Sequence, residues 1–162
     1  RPFGWQLFLK TVTDGQEGRL AVDANGVNKA GTVGIRRGTW RDALRILDIM
    51  RQLAVPLDVK TCTAAISACG KGGRWQWSLA LLREMHLQQS RPNAFSYNTA
   101  SSACARQSKW LHCLAQMEEM RRHQVAPDIV SYNIAISACE KSGQWLLALS
   151  HLCDMRQQDL AP

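Results

Sequence analysis

The sequence predicts an all-α fold, an α-solenoid of stacked helix-turn-helix repeats, on three observations. First, columns of identical residues recur every 35 positions: Trp40, Trp75, Trp110 and Trp145; Met50, Met85, Met120 and Met155; Ala65, Ala100 and Ala135. Second, apolar residues within each 35-residue unit return at i, i+3, i+4 and i+7, the spacing that gathers them on one side of a helix. Third, a Gly or Ser (Gly73, Ser108, Gly143) parts two such stripes and a Pro (Pro92, Pro127, Pro162) closes the unit. Hairpins this small cannot bury their own stripes, so neighbours must stack and share a core.

Residues 1–23 read as an irregular N-terminal segment or a degenerate cap. Numbered from the residue after its final Asp or Asn, the repeat then occupies 24–58, 59–93, 94–128 and 129–162, the last copy one residue short. Residues 24–39, ANGVNKAGTVGIRRGT, hold four glycines. At about 1 kcal/mol each relative to Ala they are poor material for a first helix, so this copy reads as degenerate. TWRDALRILDIM restores its second helix, and Pro56 falls one residue early. In 59–93 the first stripe is Cys62, Ala65, Ile66 and Cys69, at slots 4, 7, 8 and 11 of the repeat; in 129–162 it is Tyr132, Ala135, Ile136 and Cys139. Slots 17, 20, 21, 24 and 27 carry the second stripe, Trp145, Ala148, Leu149, Leu152 and Met155 in the last copy. The Pro that follows blocks further helix. The Trp, Met, Cys and Ala columns are all read as packing.

Composition narrows the function classes. With 46% hydrophobic and 20% charged residues the chain belongs among folded proteins, and its net charge of +7 suits an anionic partner. No run of about 18 apolar residues exists to span a membrane. Six cysteines include no CxxC pair, and Cys69, Cys104 and Cys139 each follow Ser-Ala, which marks small, reduced, buried thiols. The glycines at 26 and 31 have phosphate-loop spacing, but Thr32 and Val33 follow where Lys and Ser or Thr are required. The four histidines occupy four different slots, and adjacent His112 and Cys113 point about 100° apart on a helix. The expectation is therefore no enzyme, no metal and no cofactor.

The outward face is more informative. Slots 2, 5, 9 and 13 cluster opposite the buried stripe of a first helix. Slot 5 holds Thr63, Asn98 and Asn133; slot 9 holds Ser67, Ser102 and Ser137; slot 13 holds Arg36, Lys71, Arg106 and Lys141; slot 2 varies as Lys60, Phe95 and Val130. Cations for phosphates, amides and hydroxyls for base edges, and a variable side chain to pack on base faces suit one nucleic-acid strand. Stacked bases rise about 3.4 Å while packed helices lie about 8–10 Å apart, so one base per repeat requires an extended single strand. A second reading, from another class, is a scaffold that holds a peptide in the solenoid groove.

The 35-residue period, the SYN near the start of a unit, the closing PN or PD and the ALxLLxxM-like second helix resemble pentatricopeptide repeats, strongly over 59–162 and more weakly over 24–58. The resemblance implies a sequence-selective array for single-stranded RNA, one base per repeat, read by slot 5 with the last residue of the unit while slot 2 sandwiches bases. It implies adenine for Thr63 with Asn93, uracil for Asn98 with Asp128, a pyrimidine for Asn133, and uracil again for Asn28 with Asp58; Lys60 departs from the usual aliphatic slot 2. The implied ligand core is 5′-A-U-pyrimidine-3′. The resemblance further implies work in organellar RNA processing, stability, editing or translation, in mitochondrion or chloroplast, with other proteins engaged through flanking domains. No targeting segment is visible in the sequence.

Overall fold

A computed structural model of the chain describes residues 24–88, 90–158 and 160, preceded by 6, 8–10, 12 and 13. Regular structure among the described residues is helical throughout. The chain forms two compact units, Arg1–Arg91 and Pro92–Pro162.

In the N-terminal unit the helices are α1 (Ala24–Arg37), α2 (Trp40–Gln52), α3 (Val59–Lys71) and α4 (Trp75–Leu87). The C-terminal unit holds α5 (Ala94–Arg106), α6 (Trp110–Arg122), α7 (Ile129–Lys141) and α8 (Trp145–Gln157). Every first helix thus opens at slot 1 and every second helix at slot 17. Each hairpin packs on itself and, within its unit, sets its first helix against the first helix of the next, α1 on α3 and α5 on α7. Near the N-terminus, residues 6, 8–10, 12 and 13 are helical, and Phe8 and Val12 are buried.

In three of the four copies the break between paired helices carries a left-handed residue at slot 15. Gly73 and Gly143 have φ of 71° and 70°, and Ser108 takes the same place at 54°. Gly143 would meet nothing within 4 Å if it carried a Cβ, so the backbone angle alone asks for glycine there.

The first-helix stripes are core as expected: Cys62, Ala65, Ile66 and Cys69 are buried, and so are Tyr97, Ala100 and Cys104. Within the C-terminal unit Met117 of α6 joins Tyr132, Ala135 and Met155 of the last hairpin in a cluster, with Leu114 and Leu160 against it. Burying a side chain of Met size contributes about 1.5–3 kcal/mol, which accounts for Met at slot 27 in four copies.

Two packing expectations need correction. The glycine-rich segment does form α1, because a Cβ on Gly31 would stand 3.0 Å from Met50 Sδ and 3.5 Å from Ile46 Cγ2; the close approach of α2 outweighs the local propensity. The Trp column is not core. Trp40 is half-buried, lies over Gly72, and has the guanidinium groups of Arg74 and Arg41 at 4.9 and 5.1 Å from its ring centroid. Trp145 is 64% exposed and Leu149 51%, since no helix following α8 among the described residues covers that face.

Candidate nucleic-acid interface

The last residue of a repeat has a structural duty that its letter alone does not disclose: it is the N-cap of the next first helix. Asp58 Oδ1 accepts from Thr61 N at 2.7 Å, Asn93 Oδ1 from Ser96 N at 3.0 Å, and Asp128 Oδ1 from Ser131 N at 2.8 Å. Each satisfies one of the orphan N–H groups at a helix start, a contribution of about 1 kcal/mol.

In the C-terminal unit this cap meets the slot-5 residue across the hairpin. Asn98 Nδ2 donates to Asp128 Oδ1 at 2.9 Å, and Asn98 Oδ1 accepts from Ser131 Oγ at 2.6 Å. Ser131 Oγ also lies 2.9 Å from Asp128 Oδ1 and accepts from Asp128 N at 3.2 Å. Burial acts to raise the Asp128 carboxyl; hydrogen bonds from Ser131 N, the Asn98 amide and the Ser131 hydroxyl outweigh it and hold the group below the ordinary carboxylate value. Asn98 is only 6% exposed. Among the described residues its second amide hydrogen and Asp128 Oδ2 have no protein partner, which leaves one donor beside one anionic acceptor.

The same two letters behave differently in the N-terminal unit. Asn28 Nδ2 donates to Ala24 O at 3.0 Å and to Pro56 O at 2.9 Å, so both amide hydrogens are used. Asn28 Oδ1 accepts from Asp58 N at 3.3 Å and lies 3.2 Å from Thr61 Oγ. Asp58 caps α3 and makes no side-chain bond to Asn28 in return. Thr63, also buried, donates its hydroxyl back to Val59 O at 2.6 Å.

One open cleft of about 320 Å³ in the C-terminal unit is lined by slots 9 and 13 of α5, Ser102 and Arg106, and by slots 2, 5, 9 and 13 of α7, Val130, Asn133, Ser137 and Lys141. Asn133 is exposed, Val130 is 53% exposed and Phe95 70%. Lys60 is likewise exposed. All four slot-13 cations, Arg36, Lys71, Arg106 and Lys141, are exposed and close to the C-terminal end of a first helix. There they also complement the helix dipole. Sequence reasoning missed Ser131, although a hydroxyl recurs at its slot as Thr61 and Ser96. No group of three or more His, Cys, Asp or Glu side chains among the described residues is arranged to hold a metal, and none of the described helices is long and apolar enough to cross a membrane.

Paired helices on a 35-residue period, with polar, cationic and apolar columns along the first helices, define an α-helical repeat protein. Three family profiles match: the PPR repeat family over residues 92–141, the PPR repeat over 130–160, and the pentatricopeptide repeat domain over 45–107. The chain belongs to the pentatricopeptide repeat family. Among solved structures it is similar to the pentatricopeptide repeat protein PPR10 from maize, at 24% identity and a TM-score of 0.81 over 96% of this chain. It is also similar to PPR10 in complex with an 18-nt psaJ RNA element, at 26% identity and a TM-score of 0.76 over 98% of this chain. The PPR domain of Arabidopsis thaliana protein-only RNase P 1, in complex with tRNA, matches at 15% identity and a TM-score of 0.67, over 86% of this chain and 70% of that domain. This chain spans 23% of the PPR10 chains. No curated protein sequence matches it.

Proposed function

We propose that the chain is a sequence-selective array for single-stranded RNA that takes about one base per repeat and works by binding rather than catalysis. The observation that carries this reading is the convergence of four outward slots of α7 with two of α5 on one cleft, in the unit that also holds the hydrogen-bonded pair Asn98 and Asp128. The pair offers a donor next to an ionised acceptor, the complement of the O=C–N3–H edge of uracil. Cytosine and adenine would turn a ring-nitrogen lone pair toward the carboxylate. Asn133 in the cleft is the reader of the following pyrimidine, Val130 and Phe95 pack on base faces, and Arg106 and Lys141 hold phosphates. In the N-terminal unit Lys71 and Arg36 serve phosphates, Lys60 lies at the base-packing slot, and Thr63 is the reader of the adenine. Asn28 and Asp58 we assign instead to a structural tie, because the Asn28 amide has spent its donors on Ala24 and Pro56.

That PPR10 is in complex with an RNA element and the RNase P domain with tRNA supports the class of ligand. The organelle, mitochondrion or chloroplast, and the task in RNA processing, stability, editing or translation rest on the family. Fluorescence-anisotropy titration of short labelled single-stranded RNAs, centred on A-U-pyrimidine or scrambled, at two salt concentrations tests the reading. Preferred binding of the A-U-pyrimidine strand, weakening with salt by a logarithmic slope of about 0.7 per phosphate contact, is the expected outcome. Binding without base preference would reduce the site to an electrostatic groove. No binding at low salt, together with capture of peptides, would favour the scaffold.

A further inference from the structure

We propose that Ser131 is a specificity-determining positioning residue: its hydroxyl donates to Asn98 Oδ1 while the Asp128 carboxylate takes one Asn98 N–H, and the two contacts together aim the second N–H at the base. The inference rests on Asn98 and Asp128 being a base-reading pair. An asparagine amide has two planar orientations that exchange oxygen and nitrogen, and its neighbours decide between them. Ser131 Oγ accepts from Asp128 N at 3.2 Å, which takes one of its two lone pairs, and its proton has two acceptors in reach, Asn98 Oδ1 and, at 2.9 Å, Asp128 Oδ1. The shortest contact is to Asn98 Oδ1, at 2.6 Å. Ser131 N–H separately ties Asp128 Oδ1 at 2.8 Å, and Met120 Sδ packs 3.8 Å from the hydroxyl. One residue therefore fixes both halves of the pair, from a position 3% exposed where water cannot readily take over.

The arrangement is built into the repeat. At the same slot in the N-terminal unit, Thr61 Oγ lies 3.2 Å from Asn28 Oδ1, so a hydroxyl three residues into a first helix again meets the amide of the preceding one. That unit shows that threonine fits the slot. Without the hydroxyl, Asn98 Oδ1 loses its donor and the amide is held at one end alone, by the Asp128 carboxylate, so its second N–H is no longer aimed in one direction. The donor-and-acceptor edge that matches uracil is then poorly aligned, and uracil loses its advantage over cytosine.

The test uses the full chain with Ser131→Ala and Ser131→Thr, and four single-stranded RNAs that differ only in the middle base of A-U-pyrimidine. The wild type is expected to favour U over C by roughly tenfold. Ser131→Ala should bring that ratio to about twofold or less while the strand still binds, and Ser131→Thr should restore it. In a chain labelled with nitrogen-15, the Asn98 Nδ2 protons should exchange with solvent several times faster in Ser131→Ala, without RNA present, than in the wild type. A melting curve confirms that each variant is folded. A folded Ser131→Ala variant with an unchanged U-to-C ratio, or with unchanged amide exchange, overturns the proposal. A wild type that binds RNA without favouring U overturns the base-reading pair itself, a failure seen before any variant is compared.

Discussion

Asn28 and Asn98 share a slot and a partner letter, and Asn28→Ala separates their roles. The substitution deletes the bonds from Nδ2 to Pro56 O and Ala24 O and the two contacts at Oδ1 with Asp58 N and Thr61 Oγ. The four losses are unequal. Ala24 O keeps the bond it receives inside α1, and Thr61 Oγ keeps Thr32 Oγ at 2.9 Å. The Pro56 carbonyl and the Asp58 N–H are left unpaired. Each orphaned group costs about 1–3 kcal/mol, less where water reaches it, and Pro56 and Asp58 are both exposed. The loss should therefore come to about 1–2 kcal/mol. With a urea dependence of about 2 kcal/mol per M, the midpoint of the N-terminal unit falls by roughly 0.5–1 M.

The assay is urea unfolding followed by far-UV circular dichroism, with RNA titration of the same variant. Asn28→Ala should lose stability and leave the preference at every RNA position unchanged. Asn98→Ala should lose about 1 kcal/mol, because Ser131 Oγ still has Asp128 Oδ1 at 2.9 Å, and should lose the preference for U at one position. The tie assigned to Asn28 is refuted if Asn28→Ala unfolds at the wild-type urea concentration and instead changes selectivity at one base.

Three further outcomes follow from particular residues. Ser108→Gly should stabilise the C-terminal unit by about 1 kcal/mol, since Ser108 pays for a φ of 54° that Gly73 and Gly143 adopt freely; chemical denaturation reads the gain. A water-soluble thiol reagent should label one of the six cysteines in the native chain, exposed Cys153, and all six after denaturation. Burial first, with Glu84 and Asp58 adding to it, pushes the Cys62 thiol up to about 12, and burial pushes Cys69 up to about 11, so neither is a thiolate at neutral pH. Asp128 titrates below its ordinary 3.8 in the folded chain, so its contribution is complete above that value and is lost as pH falls through the lower, folded one. Asp128→Asn should flatten stability in that acid range, as acid titration followed by circular dichroism would show.

The helices were legible because each rests on a column: slot 1 and slot 17 open helices in four copies. Where the columns were incomplete, tertiary contact decided. Nothing local in ANGVNKAGTVGIRRGT favours a helix, yet Gly31 lets Met50 Sδ approach to a distance where a side chain would intrude. Partners of polar groups were the least legible, since residue type states what a group can bond and not what it does bond. Asn28 with Asp58 and Asn98 with Asp128 are the same letters in different networks. The visible trace of the difference in the sequence is Pro56, one residue early, which supplies the carbonyl that takes the Asn28 amide. Ser131 went unread for a related reason: a serine at the third position of a helix is ordinary, and its reach to Asn98 is a property of two helices packed together.

On the base-reading role proposed above, the last residue in a repeat links folding to recognition. Asp58, Asn93 and Asp128 all cap the helix that follows, and capping favours Asn, Asp, Ser and Thr over aliphatic residues by about 1 kcal/mol. A repeat that must start its neighbour's first helix therefore draws this letter from a short polar alphabet. Every member of that alphabet carries an oxygen for the cap. They differ in what remains once the cap is made: a second anionic oxygen for Asp, an amide N–H for Asn, a single hydroxyl for Ser or Thr. The cap preserves the fold while the remaining group is free to vary, so exchanges such as Asp128→Asn or Asn93→Asp can change the base presented with little change in the helix they start.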